Sequence, residues 1–229
     1  MTPSASRRGP RSSSTFSGPL STVQYDVNGV RFDMVRVPPG RFIDGEGETR
    51  RELLVSRPFE IGVAPVTPAL WRAVMGSNPS RFQGEDRPVE RVSWDDTQRF
   101  MVAMVKHGFP GFRLPTEAEW AWAARCGVST RWAGAERVKA VPGSIQTAPV
   151  AGLSGVAVGA FDFLDNVQEW AGDHHEWVPL AGVDVQGPVL GSYRINRGGG
   201  QHRRLANRVR NNPVFRDFFL GFRLLRSSP

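Results

Sequence analysis

Arg113-Leu114-Pro115-Thr116-Glu117-Ala118-Glu119-Trp120 carries a helix start that can be read from local chemistry alone. Thr116 and Glu119 have the spacing of a capping box, in which a hydroxyl and a carboxylate three residues apart satisfy each other's free backbone N–H groups. Glu117 and Glu119 both fall in the first turn, where the helix dipole favours negative charge. Trp120, Ala123 and Ala124 then recur at helical spacing as a buried stripe, and Cys126-Gly127 ends the helix. Phe112 to Pro115 reads as the connector leading in.

The same grammar appears twice upstream. Thr67-Pro68 is an N-cap followed by proline at the first helical position, and Leu70, Trp71 and Val74 follow it to Gly76. Ser93-Trp94-Asp95-Asp96 is a second capping box, with Phe100, Met101, Met104 and Val105 at helical spacing up to Gly108. Before these helices, residues 30–37, 41–45, 53–55 and 59–63 read as strands, the first by its alternation and its end at Pro38-Pro39-Gly40. Residues 128–160 are rich in Gly, Ala, Val and Pro and read as one long irregular segment. Helices concentrate in the first half and short strands in the second, with no internal repeat and no linker. The reading is a single α+β domain over residues 24–226 behind a Ser-, Pro- and Arg-rich tail, residues 1–20, too polar to order itself.

Composition narrows the function. One cysteine, Cys126, excludes an intrachain disulfide and a Cys-built zinc site. His174-His175 is the only close histidine pair, and no H-x-x-x-H spacing occurs. The net charge is +7, nearly all of it arginine. That suggests an anionic partner, but the arginines line no single helix and match no nucleic-acid motif, so nucleic acid is not the expected ligand. Arg7-Arg8 is followed by no apolar run, and no stretch is long enough to span a bilayer. The expected location is therefore the cytoplasm, with display at a surface through a partner left open.

Taken together, Met75-Gly76-Ser77-Asn78-Pro79-Ser80-Arg81-Phe82, Arg87-Pro88-Val89 through Asp96, the Arg113–Trp120 stretch, Asp165-Asn166-Val167-Gln168-Glu169-Trp170, Arg197-Gly198-Gly199 and Leu220-Gly221-Phe222-Arg223 resemble the formylglycine-generating enzyme (sulfatase-modifying factor) family. The resemblance implies a C-type-lectin-like fold of formylglycine-generating-enzyme type. Enzymes of that family oxidise a substrate cysteine with a copper-binding cysteine pair placed between the RGG and GFR elements. This chain has no cysteine there, and Cys126 reads as a small packed hydrophobe. The calcium motif of sugar-binding lectins is also absent.

The segment from Arg197 to Arg223 is instead similar to the variable region of retroelement-diversified proteins, where adenines of Asn codons are randomised. The frame resembles R-N-N-P-x-x-R-x-x-x-[IL]-G-F-R. Its open positions hold Val214, Phe215, Asp217, Phe218 and Phe219, all reachable from such codons, whereas Gln201 is not. The resemblance implies a non-enzymatic binding protein, a monomer, whose variable surface spans about residues 200–219 and meets an unidentified ligand, expected to be a protein. The candidate contacts are His202, Arg203, Leu205, Val209, Asn211, Val214, Phe215, Asp217, Phe218 and Phe219. Phe215 and Phe219 are expected to face outward; Phe218 could go either way. Leu220, Phe222 and Leu224 are expected to face inward on the two-residue period. Arg204, Arg208 and Arg210 are expected to hold loops together, and Asn207, Asn211 and Asn212 equally fit turn chemistry.

Asp165, Asn166 and Glu169 resemble a calcium-ligating region of the family, and close-spaced oxygen ligands suit that ion; calcium is the one cofactor the sequence admits. Glu169 could equally accept from a core arginine. Two rival functions remain at this point: an oxidase or sulfatase-modifying partner, and a basic nucleic-acid-associated protein.

Overall fold

The computed structural model describes residues 21–126, 147–150, 162–164, 166–199 and 205–227. The tail 1–20 and most of the segment 128–160 lie outside these residues.

The chain opens with a hairpin of β1 (Thr22–Val27) and β2 (Val30–Val37). Its turn is Asn28-Gly29, with both φ angles positive at 53° and 83°. Asn-Gly is the pair that tolerates this conformation in a two-residue turn whose twist matches the strands. β1 was not anticipated, although the Asn-Gly signal was present in the sequence. β3 (Gly40–Asp44), β4 (Arg51–Val55) and β5 (Phe59–Gly62) follow where alternation and strand-rich residues placed them.

The three helices begin at their sequence caps. In α1 (Pro68–Met75) the Thr67 hydroxyl accepts from the Leu70 amide, and Gly76 closes the helix at φ 79°. α2 (Trp94–Lys106) and α3 (Glu117–Arg125) both carry complete capping boxes, at Ser93/Asp96 and Thr116/Glu119. Between them lies the two-residue strand β6 (Phe112–Arg113), within the stretch read as a connector. The second half supplies β7 (Gln168–His174), β8 (Gly182–Val183), β9 (Arg194–Arg197), β10 (Arg208–Asn211), β11 (Leu220–Phe222) and β12 (Leu225–Ser227).

Among the described residues these strands form three sheets. One runs β1-β2-β5-β12-β6, one β10-β9-β7-β11 and one β3-β4-β8. β12 pairs antiparallel with both β5 and β6, so the C-terminus closes the sheet that the N-terminus opened. β11 pairs parallel with β7, Phe222 opposite Trp170. One core gathers around Trp120 between α3 and the strands β3 to β5. The other stacks Trp71, Phe100 and Phe222, with Trp71–Phe100 ring centroids 5.2 Å apart and Phe100–Phe222 5.4 Å apart. Aromatic pairs at these separations add to the burial of their area. This is the mixed α+β architecture expected, with few helices and several small sheets.

Around Phe222 the two-residue reading needs correcting. Leu220, Phe222 and Leu224 are buried as expected, but so are Gly221 and Arg223. β11 lies between two packed layers, and a strand covered on both faces has no outward set.

Candidate functional site

The C-terminal segment is held at both ends by buried arginines. Arg197 ends β9 and lies wholly inside the protein, its guanidinium donating to Asp44 at 3.2 and 3.3 Å and to Glu117 at 2.6 Å. It also donates to the Leu205 carbonyl. Arg51 bridges the same two acids, Arg125 joins Asp44, and Arg208 joins Glu117 and Glu176. Burial pushes the Glu117 carboxyl up, but Arg197, Arg208 and Arg51 outweigh it and hold the pKa down at about 2. Asp44 is held low in the same way, burial being outweighed by Arg197 and Arg125.

At the other end Arg223 lies flat against Glu169, with two hydrogen bonds of 3.0 and 2.8 Å, and its third nitrogen donates to the Gly62 carbonyl. Trp120 completes the shell of Glu169 through its indole N–H at 2.8 Å. Fully buried charges persist only when paired and hydrogen-bonded in this way.

Between these anchors the chain makes an ordered turn. The Asn212 side chain accepts from the Val214 amide at 3.1 Å, and its carbonyl accepts from Phe215 at 2.9 Å. The Asp217 side chain accepts from the Phe219 amide at 2.9 Å, and its carbonyl accepts from Arg91. Arg216 grips Asp96 with a fork of 2.8 and 3.1 Å, tying the turn to the first turn of α2. The backbone is therefore fixed by polar groups, while Val214 is 60% and Phe215 41% exposed. Phe218 and Phe219 are half-buried against Phe82, with the Arg81 guanidinium 5.2 Å from the Phe218 ring.

The predicted contacts separate accordingly. Val214 and Phe215 stand outward. Asp217 caps backbone, and Phe218 and Phe219 pack as a pair with ring centroids 4.5 Å apart. Val209 is half-buried in β10, and Asn211 donates to Asn196, itself buried beneath it. Leu205 is a correction: it is 8% exposed and part of the Trp120 core, so it cannot meet a ligand. His202, Arg203 and Arg204 lie outside the described residues.

Of the calcium candidates, Asp165 also lies outside the described residues. Asn166 exchanges two 3.0 Å hydrogen bonds with the Ala148 backbone, and Glu169 gives both oxygens to Arg223 and Trp120. A carboxylate already neutralised by a buried arginine is a poor cation ligand, so the reading of Glu169 as the partner of a core arginine is the one realised.

Sequence reasoning missed Trp177 and Tyr193. Arg210 is exposed and has its guanidinium 3.8 Å from the Trp177 ring and 5.3 Å from that of Tyr193. It does hold a loop to a strand as expected, but through aromatic faces. It missed the buried acids too, although alternation with the inward Phe42 along β3 marks Asp44 as inward.

A separate cleft of about 640 Å³ is lined by Trp94, Asp173, His174 and Arg194, among others. Burial above all raises Asp173 to about 6. Arg194 lies 3.6 Å over the Trp94 ring. Cys126 is not among the residues that line this cleft; it is buried at the end of α3, and burial pushes its thiol up. No helix among the described residues is long and apolar enough to cross a membrane.

Residues 24–228 match the family described as sulfatase-modifying factor enzyme 1-like domain. The solved structure of Treponema denticola variable protein 1 is similar at a TM-score of 0.80 and 28% identity, over 90% of this chain and 99% of that one. The formylglycine-generating enzyme of Mus musculus is 30% identical over 69% of this chain, which spans about half, 49%, of that enzyme. A chaperone protein, LppX of Paenibacillus barcinonensis, is 28% identical over 73% of this chain and 78% of its own length.

Proposed function

This chain belongs to the sulfatase-modifying factor enzyme 1-like domain family, and we propose that it uses the family's fold for ligand display rather than catalysis. The variable surface is the turn from Asn212 to Phe219 with the adjoining strand β10, and the ligand is a protein. One observation carries the reading: the turn's backbone is fixed by Asn212, Asp217, Arg216 and Arg91, while its apolar side chains Val214 and Phe215 face solvent. A rigid backbone under exposed large side chains keeps the ordering cost of binding low. It also lets those side chains change without loss of the fold. Likeness to a variable protein over nearly the whole chain supports the same reading.

Sequencing the DNA beside the gene tests it. The expected result is a near-copy of the codons for about residues 200–223, differing almost only at adenines, next to a reverse transcriptase. Flanking DNA without such a copy removes the diversified-surface reading.

Identity with formylglycine-generating enzymes favours a second reading, an oxidase. It would have to work through Cys126, the chain's one cysteine, buried and held as a thiol. The thiolate is the metal ligand and nucleophile. Copper(I) titration of the reduced protein decides between them: tight one-to-one binding abolished by Cys126→Ser restores the oxidase, and its absence leaves display.

A further inference from the structure

Three arginines near the variable turn commit their guanidinium groups to hydrogen bonds within the protein. Arg194 donates to the Gly172 carbonyl, Arg208 to Glu117 and Glu176, and Arg216 to Asp96. Arg210 differs. Its guanidinium makes no hydrogen bond and no ion pair among the described residues, and the residue is exposed. Its guanidinium is laid on the Trp177 ring at 3.8 Å, with Tyr193 at 5.3 Å.

Those rings are themselves positioned. His175 meets Trp177 edge-on at 5.6 Å, and the His175 amide donates to the Tyr193 carbonyl at 2.9 Å. A guanidinium stacked on a ring face keeps its N–H groups free in its own plane. Trp177 is 78% exposed, so that plane is open to a partner. Burial first, then the charges of Arg208 and Arg210, lower His175 from its usual range, with Glu117 opposing them.

A planar cation with parallel donors matches a planar anion with two acceptor oxygens. The geometry points to Arg210, Trp177 and Tyr193 as a preformed receptor for a carboxylate side chain, an Asp or Glu, on a protein partner. This rests on the display reading above and gives its ligand a chemistry. Phosphates of a nucleic acid fit less well. They are bound by several free cations along a track, whereas Arg208 and Arg216 are paired with acids and the Arg81 guanidinium lies against the Phe218 ring. Arg, Trp and Tyr are also the residues that dominate protein-binding hot spots. Trp177 and Tyr193 lie outside residues 200–219, and Arg210, though within them, stands at the fixed first position of the R-N-N-P frame that the segment resembles.

The test is to pan a phage-displayed random peptide library against the full chain and measure individual selected peptides. The expected outcome is enrichment of Asp or Glu over the input library. Binding should fall about tenfold or more in both Arg210→Gln and Arg210→Lys, because lysine keeps the charge but loses the fork. Unchanged thermal unfolding of both variants confirms that the fold is intact. Selected peptides without acidic enrichment, acidic peptides indifferent to Arg210→Gln, or full retention in Arg210→Lys each overturn the inference, as does failure to select any binder. So does a single-stranded oligonucleotide that binds through Arg210 with steep salt dependence. The display reading fails separately, if Phe215→Ser leaves the binding of every selected peptide unchanged.

Discussion

The two ends of the C-terminal segment and the turn between them use the same residue types in opposite ways. At the ends, Arg197 and Arg223 are sealed against Asp44, Glu117 and Glu169, and Phe222 is wholly buried. In the middle, Arg210 lies on exposed rings and Phe215 faces water. Arginine and phenylalanine do not announce their role by type. What decides is whether the backbone delivers them to a neighbour of opposite character or to solvent. The ends are therefore intolerant of change and the turn is open to it.

The sharpest way to break this contrast is at the ends. Arg223→Ala leaves Glu169 charged and unpaired in the core and should cost about 3–5 kcal/mol in chemical denaturation. Phe222→Ala should cost a similar ~3–5 kcal/mol through the cavity it opens. If either is neutral, the segment is not anchored as described. Leu205→Ala comes next, at about 2 kcal/mol, the low end for a core leucine because the site lies at the core's edge; a neutral result would return Leu205 to the surface.

Acidity probes the sealed side in another way. Asp173 accepts from the Glu117 and Gly187 amides, and its folded pKa of about 6 lies above the ordinary value of 3.8. A raised carboxyl favours the fold while both states hold the proton, and this advantage is lost as pH rises from about 4 through 6. Wild type should therefore lose stability relative to Asp173→Asn across that window, by on the order of 2 kcal/mol. Parallel stability curves for the two proteins would contradict the assignment. Glu117, held at about 2, acts in the opposite sense, with stability present above its ordinary pKa and lost as pH falls through 2.

The smallest effects belong to the turn. Val214→Ser and Phe215→Ser should each stay within about 0.5 kcal/mol of wild type. Arg216→Ala, which breaks a half-exposed pair with Asp96, should cost no more than about 1 kcal/mol. Should these destabilise as much as Phe222→Ala, the turn is core and the contrast disappears.

Much of the fold was legible because its signals are local. Capping boxes at Ser93 and Thr116 and proline after Thr67 each act within a few residues; the Asn28-Gly29 turn is as local but was not read. The charge network was not legible, because Asp44 and Arg197 stand at opposite ends of the chain and only the tertiary fold joins them. Leu205 was misplaced because a stretch without periodicity carries no mark of burial. Trp177 and Tyr193 escaped notice because nothing in their own neighbourhood says that an arginine from β10 will lie across them.

Gly198, Gly199 and Gly221 bracket the segment proposed to vary. A side-chain carbon on any of them would fall within 2.3–2.4 Å of backbone atoms of Phe163, Val167, Gln168 or Val89. Glycine is spelled with adenine only in the silent third letter of its codons, and phenylalanine is spelled without adenine. A mutator that rewrites adenines, which the proposed display function implies, would therefore pass over Gly198, Gly199, Gly221 and Phe222 without altering the protein. At these four positions the genetic code would hide from such a process the residues that the fold cannot exchange.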